Sequence, residues 1–237
     1  MGKITGVSWA DSTWNPWIGC RKISPGCGNC YMFREQERYG SDPNFVHATS
    51  VHTFNTPLRM KEPKRIFACS WSDFFIEEAD LWRDEAWDII RKTPQHKYQL
   101  LTKRPENILD RLPDDWNYGW DNVMLLVTGE NQILMESRMS ILDEIPTKHT
   151  GLSIEPILGE IDFIDPLVLY PDWVIAGGES GAKDKVRMDN LDWYRYLRDQ
   201  CQEAGIPFFL KQAWIDGKLV KEPFLDGRQW LEFPDSF

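Results

Sequence analysis

Six short, nearly continuous apolar runs constrain this chain more than any other feature. They are RIFACS (65–70), YQLLT (98–102), NVMLLVT (122–128), TGLSIE (150–155), DWVIAGG (172–178) and PFFLKQ (207–212). Runs of this length without polar alternation are how strands buried on both faces read. Helical spacing appears between several of them. Trp82, Ala86, Ile89 and Ile90 form one set, and Leu134, Ile141, Leu142 and Ile145 a second. Leu191, Tyr194, Leu197 and Cys201 form a third, which ends at the stop signal AGIP. Strand, polar loop, helix, next strand is the signature of parallel α/β structure.

Each run ends in polar or small residues: SWSD, TKRP, TGEN, EP, GGESG and KQ. In a parallel barrel or open α/β sheet these ends share one rim, where sites are built. A first strand is expected in WNPWIGC (14–20), making seven. A complete eight-stranded barrel takes about 250 residues. The expectation for this chain is therefore a single α/β domain over 1–237, a partial TIM-type (β/α) barrel of six or seven parallel strands. A doubly wound open sheet is the alternative. Residues 40–63 read as a connector, and 215–237 as a small C-terminal extension whose DGK and DGR signal turns and a hairpin.

Hydrophobic content of 42% and charged content of 27% fit a soluble globular protein. No apolar run approaches the roughly 18 residues of a membrane span, and the N-terminus lacks the apolar stretch of a secretory signal. A cytoplasmic setting, with reduced thiols and no membrane partner, is the expectation. A net charge of -10 opposes non-specific wrapping of DNA. RMKEPKR (59–65) and TKRP (102–105) are two candidates for a local basic mouth, or solvated charged faces. Twelve tryptophans are many for this length, and Trp9, Trp14, Trp17 and Trp71 lie near polar or cysteine-bearing turns. They suit core packing, or stacking on a base or adenine.

The stretch WNPWIGCRKISPGCGNCYMF (14–33) places Cys20, Cys27 and Cys30 in one loop, spaced C-x6-C-x2-C, with Gly19, Gly26, Gly28 and Pro25 around them. Three thiols are too many for one disulfide and one short of a closed zinc site. Three readings compete: buried apolar thiols, structural zinc completed by His47 or His52, or a four-iron cluster with one iron left open to a ligand.

That stretch, with FACSWSDFF, YQLLTKRPENI, LSIEPILG, VIAGGESG and QEAGIPFFLKQ, resembles the three-cysteine-motif family of bacteriophage and prophage genomes, from about residue 7 to 214. That family is similar to the radical S-adenosylmethionine superfamily. The resemblance implies a [4Fe-4S] cluster on Cys20, Cys27 and Cys30, in the loop 14–33. Its fourth iron would chelate the amino and carboxylate groups of S-adenosylmethionine. An electron from a donor such as flavodoxin or ferredoxin would then cleave the cofactor to methionine and a 5′-deoxyadenosyl radical, which abstracts a substrate hydrogen. The implied setting is the host cytoplasm. The implied substrate is a nucleobase in phage DNA or a nucleotide precursor, such as an amino-acid-modified thymine. Two features depart from the superfamily. The first spacing is six residues instead of three, and Asn29 stands where an aromatic usually precedes the third cysteine, with Tyr31 following as a candidate adenine contact.

The rim motifs supply the remaining candidates. Ser70, Ser72 and Asp73 occupy the place where the superfamily receives the cofactor's ammonium, whose donors need acceptors. Gly177, Gly178 and Glu179 would touch ribose, methionine or substrate, or form a tight turn. Thr128, Glu130, Asn131, Ser153 and Glu155 could bind ribose hydroxyls or the methionine carboxylate. Glu155 stands out because it follows an apolar run, where an unpaired carboxylate is costly; a salt bridge with Lys103, Arg104 or Lys211 would also satisfy it. Lys103 and Arg104 suit an anionic group, and Lys211 and Gln212 could close the site. Cys69 and Lys103 are the candidate catalytic residues, Cys69 as a core thiol able to return a hydrogen atom. Cys201 reads as core. The alternative function is a non-enzymatic nucleic-acid or partner-binding protein with a structural zinc clip.

Overall fold

The structure, a computed structural model, describes residues 5–162, 170–235 and 237. Its centre is one eight-stranded sheet: β1 Ser12–Trp14, β2 Arg65–Ala68, β3 Lys97–Thr102, β4 Val123–Thr128, β5 Thr150–Ile154, β6 Val174–Gly177, β7 Phe208–Ile215 and β8 Lys218–Lys221. Neighbours in the sheet are neighbours in the chain. The first seven strands run parallel, and β8 returns antiparallel on β7. Among the described residues four helices of eight residues or more accompany them: α1 Tyr31–Arg38, α2 Asp80–Lys92, α3 Gln132–Asp143 and α4 Leu191–Ala204. The last three coincide with the three helical spacings in the sequence.

Side-chain alternation explains why the sheet curls. Ile66 and Ala68 of β2, Val123, Leu125 and Val127 of β4, and Phe208 and Leu210 of β7 pack in one core with α2, α3 and α4. The alternate residues Phe67, Met124, Leu126, Ile175 and Phe209 form a second core with Trp9 and Trp173, to which no helix contributes. Among the described residues the helices therefore pack on one face, and the sheet curls around the other. A doubly wound sheet reverses its strand order and carries helices on both faces; this one does neither. The result is a mixed α/β domain built on a large, curled, mainly parallel sheet.

Three expectations need correction. The sheet has eight strands, the eighth arising from the DGK turn, where Asp216 (φ 49) and Gly217 (φ 73) adopt the left-handed pair of a tight hairpin. A second hairpin forms at Asp226 and Gly227. The first strand ends at Trp14, earlier than WNPWIGC implied, because Pro16 has no N–H for the ladder. Trp17–Ile18 then leaves the sheet and pairs with His47–Ala48, so the connector 40–63 carries a short strand and one helical turn, Val51–Phe54.

Local signals set the helix ends. The Asn131 and Asn190 side chains accept from Leu134 N (3.0 Å) and Asp192 N (3.0 Å), capping α3 and α4. Gly205 (φ +69) ends α4. Trp14 and Trp17 are fully buried, with indole N–H groups donating to Phe54 O and Asp73 O; both are core, and neither is open for base stacking. Among the described residues no helix is long and apolar enough to cross a membrane.

Candidate functional site

The C-terminal ends of β2 to β7 and the cysteine loop after β1 surround one cavity. Cys20, Cys27, Cys30 and Tyr31 line one side, and Cys69, Ser70, Ser72, Asp73, Lys103, Thr128, Glu155, Gly178, Glu179 and Lys211 the rim. Val7, Trp9, Phe67 and Leu101 give it an apolar floor. Of the rim candidates from sequence, Glu130, Asn131, Ser153 and Gly177 do not line it.

Three rim carboxylates spend their charge on holding the cysteine loop or the residues beside it. Asp73, after β2, accepts from Phe75 N (3.0 Å), Thr102 Oγ1 (2.7 Å), Lys103 N (3.0 Å) and Arg104 Nη1 (3.1 Å). Arg104 in turn donates to Arg21 O (2.8 Å) and reaches Cys20 Sγ at 3.8 Å. Glu130, after β4, accepts from Ser24 Oγ (2.5 Å) and Gly26 N (2.6 Å) and pairs with Lys103. Glu179, after β6, accepts from Asn29 Nδ2 (2.8 Å) and Arg187 N (2.8 Å) and pairs with the Arg187 guanidinium. Ser72 adds a hydrogen bond to Gly19 O (2.5 Å), and Ser70 Oγ exchanges one with the Asn15 amide. Asp73 and both serines thus reach the cavity with their polar atoms already engaged.

Glu155 differs. Its Oε2 takes a bond from Ser153 Oγ (3.3 Å), while Oε1 lies 2.8 Å from Lys211 Nζ. That oxygen nevertheless has no properly aligned donor and is buried; the contact is an ion pair without a directed hydrogen bond. Lys211 owes its position to a bulge: Ala176 faces Leu210 and Gly177 faces Gln212, leaving Lys211 as the extra residue of β7. Gly177 is open for a reason, since a β-carbon there would come within 2.8 Å of Glu155 Oε1.

The thiols have distinct surroundings. Burial and the nearby Asp73 push Cys20 up to about 12, against the pull of Arg104. Burial also raises Cys30; the N–H groups of Met32 and Phe33 at the start of α1 oppose this without making a capping hydrogen bond. Ser24 Oγ lies 3.5 Å from Cys27 Sγ. Cys69 is buried at φ 60, unusual for a residue with a side chain, and burial raises its thiol well above the ordinary value. Burial likewise raises the Tyr31 phenol, which donates to Ser70 O (2.5 Å).

All five cysteines are free. Among the described residues no group of three or more His, Cys, Asp or Glu side chains converges as a single-ion site. A mononuclear ion needs its ligands within about 2.0–2.3 Å of one centre, whereas a cluster gives each thiolate its own iron. The fit to a cluster rests on the donor set: three thiols from one loop on one cavity wall, with a guanidinium and a hydroxyl facing two of the sulfurs. His47 and His52 are exposed and outside the cavity lining.

Both basic stretches are placed away from the mouth's solvent face. RMKEPKR leads into the N-terminal end of β2, opposite the rim, where Arg65 pairs with Asp11 (3.1 Å). Lys103 and Arg104 turn inward to Glu130 and Asp73. Arg21 is an exposed cation lining the cavity, paired with Glu78; Lys22, whose Nζ sits at Gly28 O (3.3 Å), Lys185, whose carbonyl accepts from Asn29 (2.9 Å), and Arg187 are exposed beside the cysteine loop without lining the cavity. Ser24 and Arg187 were not singled out from sequence, and Asn29 was noted only as a departure from the superfamily pattern. Ser24 and Asn29 do lie within the cysteine spacing itself, a usable signal, but nothing local marks Arg187.

Fold and site together define a class: a mixed α/β protein in which a loop with three free thiols walls a cavity at the C-terminal rim of a curled parallel sheet. The chain belongs to the family described as Protein of unknown function (DUF5131), whose model matches residues 4–234. No curated protein and no solved structure matches it.

Proposed function

We propose that the protein is a radical S-adenosylmethionine iron-sulfur enzyme on a partial TIM-type barrel, acting in the cytoplasm on a nucleobase in DNA or a nucleotide precursor. The observation that carries this reading is the union of Cys20, Cys27 and Cys30 with Glu155, whose Oε1 is ion-paired to Lys211 but receives no directed hydrogen bond, around one cavity. Cys20, Cys27 and Cys30 would hold a [4Fe-4S] cluster. With S-adenosylmethionine bound, the pair of cofactors supplies a carbon-centred radical able to take a substrate hydrogen, on receipt of one electron from a flavodoxin- or ferredoxin-type donor.

The chain's own residues do the rest. Asp73, Glu130 and Glu179 hold the loop rigid against the rim. Glu155 offers Oε1 to a cationic or N–H donor, and Lys211 answers a carboxylate. Thr128 and Gly178 line the wall between them, beside the aromatic contact surface of Tyr31. The floor of Val7, Trp9, Phe67 and Leu101 excludes water from an apolar or planar substrate group. Cys69, held as a neutral thiol by burial, lies on the cavity wall as a hydrogen donor. Phosphate groups would meet Lys22 and Lys185 beside the cysteine loop, and Lys103 serves the loop through Glu130.

Anaerobic purification and reconstitution test the proposal. A brown protein containing iron and sulfide that releases 5′-deoxyadenosine, with DNA and nucleosides as candidate substrates, supports it. A colourless protein holding zinc, indifferent to dithionite, would replace it with the structural-clip reading of a binding protein.

A further inference from the structure

Glu130 follows β4 by two residues and its side chain is fully buried. Burying a carboxylate is tolerable only if charge and donors surround it. Lys103 provides an ion pair, Arg138 Nη1 lies 3.6 Å away, and Ser24 Oγ and Gly26 N complete the shell. Arg138 is itself fixed from α3 by donating to Thr128 O (2.7 Å). The two cations set where the carboxylate lies, and the carboxylate then sets where the loop lies.

The loop is shaped to receive it. Pro25–Cys27 is a single tight turn in which Cys27 N donates to Ser24 O (3.0 Å) and Gly28 N to Pro25 O (3.0 Å). Glu130 grips this turn at its start and middle. A β-carbon on Gly26 would collide with the Glu130 carboxyl group, so the glycine and the carboxylate form a matched pair. Cys27 is the next residue in the turn.

We propose that Glu130 is a positioning residue, seating the Ser24–Cys27 turn on the rim so that Cys27 is in place before any metal arrives. The inference depends on the iron-sulfur reading only for its consequence in loading; the seating belongs to the metal-free chain. It assigns Glu130 a role apart from cofactor contact.

The test uses the full-length metal-free protein. Thiol alkylation by iodoacetamide, mapped by peptide mass, follows Cys27 with buried Cys201 as internal reference. Glu130→Gln and Gly26→Ala should each speed Cys27 labelling at least tenfold while Cys201 labelling stays unchanged. In Gly26→Ala/Glu130→Ala the clash is absent, so the double variant should label Cys27 no faster than Glu130→Ala alone. Gly26→Ala probes the same contact from the loop side and stands in if the Glu130 variants do not fold. Cys27 labelling within twofold of wild type in both Glu130→Gln and Gly26→Ala overturns the proposal. Where the wild type does take up iron on anaerobic reconstitution, equal iron content with an identical absorption spectrum in Glu130→Gln also overturns it. A wild type that takes up no iron, yet shows the labelling changes, removes the enzyme reading and leaves the seating role standing.

Discussion

The ammonium of Lys211 stands 2.8 Å from Oε1 of Glu155, yet that oxygen receives no aligned hydrogen bond. The three other acidic groups at the strand ends, Asp73, Glu130 and Glu179, are saturated by protein donors. A ligand with a donor to place would meet an incomplete partner at Glu155, and its anionic end would meet Lys211.

Glu155→Gln should therefore weaken S-adenosylmethionine binding. A hydrogen bond to a charged group is worth about 1.5–3 kcal/mol, equivalent to roughly 10- to 150-fold in affinity. Equilibrium binding to the reconstituted protein measures it, with iron content unaltered. Unchanged affinity would place the cofactor elsewhere.

Cys27→Ala should abolish brown colour and bring bound iron close to zero, whereas Cys201→Ala, on the buried face of α4, should retain both. Iron and sulfide analysis after reconstitution separates the two variants. Retained iron in Cys27→Ala would remove Cys27 from the ligand set.

The clamps also predict acid behaviour. Burial raises Glu130 and Glu179, but Lys103 and the Ser24 and Gly26 bonds for the one, and Arg187 for the other, outweigh it and hold both below the ordinary 4.5. A carboxyl lowered in the folded state contributes stability above its ordinary value and loses it as pH falls through the lower folded value. Glu130→Gln, leaving Lys103 and Arg138 without their anion, should cost about 3 kcal/mol at pH 7. Urea titrations should show that difference intact at pH 5 and shrinking below 4.5. A constant difference down to pH 3 would mean the carboxylate charge plays no part.

Lys22 and Lys185 remain exposed beside the cysteine loop, while Lys103 and Arg104 are committed inward. Lys22→Ala/Lys185→Ala should lower affinity for single-stranded DNA and flatten its salt dependence by about 0.7 per lost phosphate contact. Fluorescence anisotropy at several salt concentrations checks this. An unaltered slope would exclude these cations from phosphate contact.

The gathering of three thiols in one loop and the strand order were readable from local pattern. The apolar runs at 98–102 and 122–128 are β3 and β4, and the helical spacings at 82–90 and 191–201 lie in α2 and α4. The polar endings mark the rim because parallel strands all point one way. Glu155 was legible for the same reason, as a charge following an apolar run. Asp73 and Glu130 read as further cofactor contacts on the same rim, and Arg187 looked like any surface arginine. Their partners lie far away in sequence, Gly26 being 104 residues from Glu130 and Asn29 150 from Glu179.

The order of elements, the end of the sheet that carries the site and the three thiols in one loop were all determined by sequence alone, because strand burial, helix period and residue spacing act over a few neighbouring positions. Only the tertiary structure decided which rim charges are spent on the loop and which face the cavity. A carboxylate's role depends on the donors that folding brings within about 3 Å, and those come from other strands.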